Sequence, residues 1–144
     1  MPQLSTNANQ ATSIQVVESL FDAFRANDLE RAFGLFHDDI VYHNPPFPPD
    51  RGRAQAERTL KLFSQLGSEF DIKLHNIAER GNIVLTERTD SVRGRFAHVD
   101  FWVCGTFEVR NGKIVLWRDH FDIGELLIKL ATSPLRKLLD ARRS

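Results

Sequence analysis

The hydrophobic period of this chain changes from helical to two near Phe70, and that change limits the class of fold it can reach. Before it, apolar residues recur at helical spacing. Ile14, Val17, Leu20, Phe21 and Phe24 form one stripe, and Thr12-x-x-Gln15 just ahead of it matches a capping box. Asn27-Asp28 ends this helix and caps a short second one carrying Leu29, Ala32, Phe33 and Phe36. Ile40 to Tyr42 reads as a short strand. Asn44 to Asp50 holds four prolines in seven residues, so a rigid loop is expected there. A third helix spans Ala54 to Leu66, with Ala56, Leu60 and Phe63 on one side, and Gly67-Ser68 stops it.

From Phe70 the period is two. Phe70, Ile72 and Leu74 alternate with polar residues, and Arg80-Gly81-Asn82 makes a turn. Ile83 to Val92 is a second long strand, broken by Arg93-Gly94-Arg95. Val99 to Val109 is a third, with Val99, Phe101, Val103, Gly105, Phe107 and Val109 on one face. Asn111-Gly112 is a strong two-residue hairpin signal, leading into a strand from Lys113 to Asp122. Glu125 to Arg143 returns to helical spacing, with an interruption expected near Pro134. Helices first, an antiparallel meander next and a helix last argue for an α+β fold. A strongly bent sheet wrapped around the helices makes a cone with a deep apolar pocket. One domain is expected from residue 12 to 144, after a disordered polar tail at residues 1–11.

Composition narrows the partners. Nineteen basic residues balance nineteen acidic ones, so the chain lacks the electrostatic footprint of a nucleic-acid binder. Arg136, Lys137, Arg142 and Arg143 make the C-terminus locally basic, which reads most simply as a solvated helix end. No stretch approaches the roughly 18 apolar residues of a membrane span, and the polar N-terminus has no signal-peptide core. The single cysteine, Cys104, cannot form an internal disulfide, so a cytoplasmic protein is the expectation.

Strand parity points to the chemistry. Arg88 and Asp90 project to one face of their strand, together with Val84, Thr86 and Val92. Asp119 shares its face with Val115, Trp117 and Phe121. A carboxylate in line with Trp and Phe is either an edge residue or a buried charge, and a buried charge needs a partner. An Asp–Arg–Asp cluster inside an apolar cavity would allow acid and base roles to be separated by environment. Arg-x-Asp on a strand is ordinarily a surface ion pair, and parity alone does not show that the three side chains meet.

Three segments carry a resemblance to a known family. Leu85-Thr86-Glu87-Arg88-Thr89-Asp90, Trp117-Arg118-Asp119-His120-Phe121-Asp122, and Tyr42-His43-Asn44-Pro45-Pro46 with Pro48-Pro49 and Gly52-Arg53 resemble the signature segments of limonene-1,2-epoxide hydrolases, in the same order. The resemblance runs from about Val17 to Asp122. It implies a cone-shaped fold like nuclear transport factor 2, with N-terminal helices packed on a strongly curved, mixed but mostly antiparallel sheet, and usually a homodimer. It implies Asp90 as the acid that protonates an epoxide oxygen and Asp119 as the base acting on water. Arg88 would bridge the carboxylates, with Tyr42 and Asn44 holding the water. The implied substrate is a small apolar epoxide, with no cofactor and no metal. The chain departs from shorter family members in its long terminal helix, which caps the pocket or extends the dimer interface.

The remaining candidates are weaker. His37, His43, His75, His98 and His120 show no zinc-ligand spacing with a third ligand. Cys104 lies on the face of Trp102 and Thr106, away from any base, and reads as packing or interface surface. Asp100 faces opposite the Phe101/Val103 stripe, so a solvent or interface role is expected, and Asp122 is a further acid–base candidate. Phe47, Phe63, Leu66, Leu74, Leu85, Val103 and Phe107 are candidates for pocket lining and equally for ordinary core. Two other functions fit a cone of this kind: an isomerase or polyketide cyclase, and an apolar-ligand-binding module. The Arg-x-Asp pairing argues against the former, and the cost of a buried carboxylate cluster against the latter.

Overall fold

The computed structural model describes residues 11–66, 69–94 and 98–143, with backbone only at Leu66, at 133–141 and at Arg143. The expected tail therefore lies, save for Ala11, outside the described residues. The elements are α1 (Ser13–Arg25), α2 (Leu29–Phe33), β1 (Phe36–His43), β2 (Asp50–Arg51), α3 (Arg53–Leu66), β3 (Glu69–Arg80), β4 (Ile83–Arg93), β5 (His98–Arg110), β6 (Lys113–His120) and α4 (Ile123–Arg143). The architecture is α+β, as the change of period requires.

Local chemistry sets the ends of these elements. The capping box is formed: Gln15 N donates to Thr12 Oγ1 at 3.2 Å, and Thr12 N donates to Gln15 Oε1 at 2.9 Å. Asp28 Oδ1 caps α2 by accepting from Arg31 N at 3.1 Å. Phe36, expected on this helix, instead opens β1, because α2 closes at Gly34. Asn111 (φ 50°) and Gly112 (φ 76°) both take the left-handed backbone that a two-residue hairpin demands. Asp122, weighed above as an acid–base candidate, is a cap: its Oδ1 accepts from Glu125 N at 3.0 Å. The interruption expected at Pro134 does not divide α4, which runs as one element. Proline removes one backbone donor, and a long helix can carry that locally.

Six strands form one sheet in the order β2-β1-β6-β5-β4-β3. The meander from β3 to β6 is antiparallel throughout. β1 joins it parallel to β6, with Tyr42 opposite Trp117, so the sheet is mixed. One face of the sheet packs on α1. There Val17, Leu20, Phe21 and Phe24 meet Ile40, Ile72, Val84, Phe107, Ile114 and Trp117 in a single core. Strand parity fails at two bulges. On β3 the register shifts between Leu74 and Asn76, so odd-numbered Ile77 follows Ile72 and Leu74 onto the core. The register between β5 and β6 shifts between Glu108 and Val109, so Val115 is an extra residue and Ile114, not Val115, takes the buried position.

The opposite face is open. Leu85 and Trp102 are half-exposed there, and Cys104 is exposed beside them. A cleft of about 340 Å³ lies on this side, lined by Trp102, Cys104, His120, Phe121, Asp122 and Glu125. The first turn of α4 thus borders this outer face. Lys129 Nζ ties the helix down by donating to Asp100 O at 2.9 Å. Of the basic C-terminal residues, Arg142 is exposed, and the side chains of the other three lie outside the described residues. No helix among the described residues is long and apolar enough to cross a membrane.

Candidate active site

On β4, burial alternates strictly from Val84 to Asp90: Val84, Thr86, Arg88 and Asp90 are buried, and the residues between them are not. This row faces the core, so two charged side chains enter it. Arg88 is 1% exposed, which makes it one of the largest wholly buried side chains in the protein. Such a charge persists only if its partners take over from water.

They do so completely. Arg88 Nε donates to Asp90 Oδ1 at 2.8 Å and Nη2 to Asp90 Oδ2 at 3.2 Å. Nη2 also donates to Asp119 Oδ2 at 2.5 Å, and Nη1 to Asp119 Oδ1 at 3.1 Å. Nη1 lies 3.5 Å from Thr86 Oγ1. The five donors of the guanidinium therefore meet five acceptor contacts, with a two-point grip on each carboxylate. The Phe21 ring lies beneath, its centroid 5.3 Å from Arg88 Cζ. Among the described residues no buried side-chain polar atom lacks a partner.

Burial pushes the Asp90 carboxyl up to about 6, with Arg88 opposing the rise. Burial works against the Arg88 charge, but Asp119 and Asp90 more than offset it and hold the guanidinium protonated. Tyr42 is buried against the Trp117 ring, with centroids 4.8 Å apart. Burial first, and the nearby Asp119 second, raise its hydroxyl well above the usual phenol range. Asn44 interacts with the same hydroxyl, so the parallel pairing of β1 with β6 delivers both residues to the cluster.

Three participants were not singled out from the sequence. Trp117 Nε1 donates to Asp119 Oδ1 at 2.8 Å. Thr86 touches Arg88, as described. Gly105 lies directly opposite both Thr86 and Asp119 in the sheet. A Cβ there would stand 2.6 Å from Arg88 Nη1, 2.8 Å from Thr86 Oγ1 and 2.9 Å from Asp119 Oδ1. An isolated glycine inside a strand pattern is itself a signal of close approach, and it was available in the sequence.

The expected pocket residues divide. Val103 pairs with Arg88 across β4 and β5 and is buried. Leu74 pairs with Arg88 from β3 and packs partly buried on the core. Phe107 is wholly buried in the core, stacked on Trp117. Leu85 does not line the cluster: odd-numbered residues of β4 face the outer side, and it is 53% exposed. Phe47 and Phe63 are also more than half exposed. Phe47 sits in the proline-rich loop, and α3, which carries Phe63, packs mainly on β1, β2 and α2 rather than on β4. The Leu66 side chain lies outside the described residues. Asp100 and His120 are at the surface, as parity required. No group of three or more His, Cys, Asp or Glu among the described residues could hold a metal ion.

The buried Arg–carboxylate cluster lies at the core of an α+β cone, and known proteins share that fold. The model of the limonene-1,2-epoxide hydrolase catalytic domain matches residues 11–132. The epoxide hydrolase EphG of Mycobacterium tuberculosis (strain ATCC 25618 / H37Rv) is 40% identical over 111 residues, 76% of this chain and 73% of that protein. A solved structure of an M. tuberculosis LEH-like epoxide hydrolase superposes with a TM-score of 0.77 at 35% identity, covering 89% of this chain and 96% of that one. A putative SnoaL-like polyketide cyclase from Shewanella putrefaciens CN-32 shares the fold alone, with a TM-score of 0.76 at 14% identity over 89% of this chain and 91% of that one. The chain belongs to the limonene-1,2-epoxide hydrolase family and is an epoxide hydrolase of that kind.

Proposed function

We propose that the chain opens a small apolar epoxide, terpene-like or cyclic, to a vicinal diol in one step by general acid–base attack of water. The observation that carries this reading is the double two-point grip of Arg88 on Asp90 and Asp119. Asp90, whose carboxyl sits near 6, donates its proton to the epoxide oxygen as the C–O bond breaks. Asp119 removes a proton from the water whose oxygen forms the new C–O bond. Tyr42 and Asn44 hold that water beside Asp119. After the reaction Asp119 carries the proton and Asp90 the charge, and transfer between them restores the starting state. Each such group supplies roughly 10²–10⁴-fold. The roles need only two carboxyl groups, so neither a metal nor an organic cofactor enters the scheme.

The same reading treats residues 12–144 as one catalytic domain. It makes the outer sheet face, with Trp102 and Leu85 exposed, the contact between two copies in a homodimer. A cytoplasmic setting fits the unpaired Cys104.

The test is incubation with limonene 1,2-epoxide and with cyclohexene oxide in ¹⁸O-labelled water, wild type beside Asp119→Asn. A labelled diol from the wild type alone is expected. Full activity in Asp119→Asn would overturn the assignment of the base. No diol from either epoxide would restrict the substrate to another size class.

A further inference from the structure

Arg88 treats the two carboxylates almost alike, since each receives two of its N–H groups. An acid–base pair needs them to differ. Among the described residues, the donors reaching Asp90 all come from Arg88, whereas Asp119 receives one more, from the Trp117 indole at 2.8 Å. A donor aimed at a carboxylate favours its ionised form. The same bond occupies Oδ1, which already accepts from Arg88 Nη1. Among the described residues, Oδ2 accepts only from Arg88 Nη2 and has a lone pair left to receive a proton from water.

We propose that Trp117 is the positioning residue that decides which carboxyl group holds the shared proton, placing it on Asp90 and leaving Asp119 Oδ2 as the basic oxygen. The indole is well placed to do this because it is not free to turn. Tyr42 and Phe107 lie against its ring at 4.8 and 5.5 Å, with Phe24 at 5.7 Å and Phe36 at 6.2 Å. The ionisable groups facing the two carboxylates are Arg88 from β4 and Tyr42 from β1. Neighbours on the other packed elements are apolar or uncharged: Phe21 on α1, Ile72 and Leu74 on β3, and Val103 and Gly105 on β5. Trp117 is thus the one asymmetric neutral donor within this set.

The proposal rests on the acid–base reading for its consequence in turnover, but the position of the proton is measurable without turnover. The experiment replaces Trp117 with β-(3-benzothienyl)alanine, which keeps the ring shape and removes the N–H. Trp117→Phe is studied beside it. Carboxyl ¹³C NMR titration, assigned with Asp90→Asn and Asp119→Asn, reads the proton directly, and the pH profile of diol formation reads its effect. In the native chain the proton is expected on Asp90. In both variants it becomes divided between Asp90 and Asp119, turnover falls about 10- to 100-fold, the range for a hydrogen bond to a charged group, and the acid limb moves to higher pH. A proton on Asp119 in the native chain, or a distribution and pH profile unchanged in the benzothienyl variant, overturns the proposal, whatever rate Trp117→Phe loses through packing. Absence of diol from the native chain would count against the reaction alone, since the titration still decides where the proton lies.

Discussion

Arg88 on β4 reaches Asp119 on β6 across a whole intervening strand, and Nη1, one of the two nitrogens that make this grip, fills the space that a Cβ at Gly105 on β5 would need. The two residues belong to strands that are not neighbours, so their meeting depends on what the middle strand leaves out. A glycine leaves out a side chain where no other residue could.

Gly105→Ala is therefore expected to injure the site more than its size suggests. The new methyl group meets Arg88 Nη1, Thr86 Oγ1 and Asp119 Oδ1, all closer than 3 Å. Overpacking of this kind costs about 1–3 kcal/mol. A lower melting temperature and a fall in kcat should appear together. Wild-type values for both would show that the cluster adapts freely.

Arg88→Met leaves two buried carboxylates with no cation. Breaking a buried pair in this way costs about 3–5 kcal/mol near neutral pH. The loss should shrink as the pH is lowered and the carboxylates take up protons. Thermal melts across pH check this, and a deficit that does not change with pH would mean that Arg88 acts by packing alone.

Asp90 gives the fold a pH dependence of its own. Its carboxyl rises from 3.8 unfolded to about 6 folded, chiefly through burial. The folded state therefore favours the protonated acid. That contribution is fully present below 3.8 and is lost as pH rises through about 6. It amounts to about 3 kcal/mol. Asp90→Asn does not titrate, so the melting temperature of the wild type relative to this variant should fall across that window. In the wild type, kcat/KM should also decline above about pH 6 as Asp90 loses its proton, because kcat/KM reports the free enzyme. A flat difference curve would contradict the burial assigned to Asp90.

Tyr42→Phe removes the hydroxyl proposed to hold the attacking water while keeping the ring against Trp117. A fall in kcat of about 10-fold is expected, the value of one hydrogen bond in the transition state, with little change in the melting temperature. An unchanged kcat would remove Tyr42 from the mechanism.

Leu85→Glu and Trp102→Glu test the outer face. Both side chains point away from the cluster, so any effect reaches the chemistry only through association. Sedimentation velocity should show a dimer for the wild type and a monomer for the double variant. A dimer that survives both charges places the interface elsewhere.

Much of the fold was legible because side-chain direction is local. A strand alternates with period two, so Thr86, Arg88 and Asp90 had to share a face, and the structure buries all three. The capping box at Thr12 and the Asn111-Gly112 turn were legible for the same reason, since their partners lie within three residues. Side-chain direction stops being local where the pairing of two strands sets it. Leu85 is odd-numbered on β4 and could have been excluded from the cluster by parity. Val115 could not, because the extra residue that turns it aside is a feature of how β5 and β6 pair. Phe36 left its expected helix because β1 takes it up as the partner of Ile114.

By itself, then, the sequence determined the order of the main elements, the inward row of β4 and the identity of the charged groups that enter the core. Only the tertiary structure decided that those groups meet. The order β1-β6-β5-β4 sets Asp119 two strands from Arg88, with Gly105 between them, and the parallel pairing of β1 brings Tyr42 against Trp117. Periodicity is a property of neighbours a few residues apart, whereas strand order and register are settled by hydrogen bonds between segments tens of residues apart, and these no local pattern encodes.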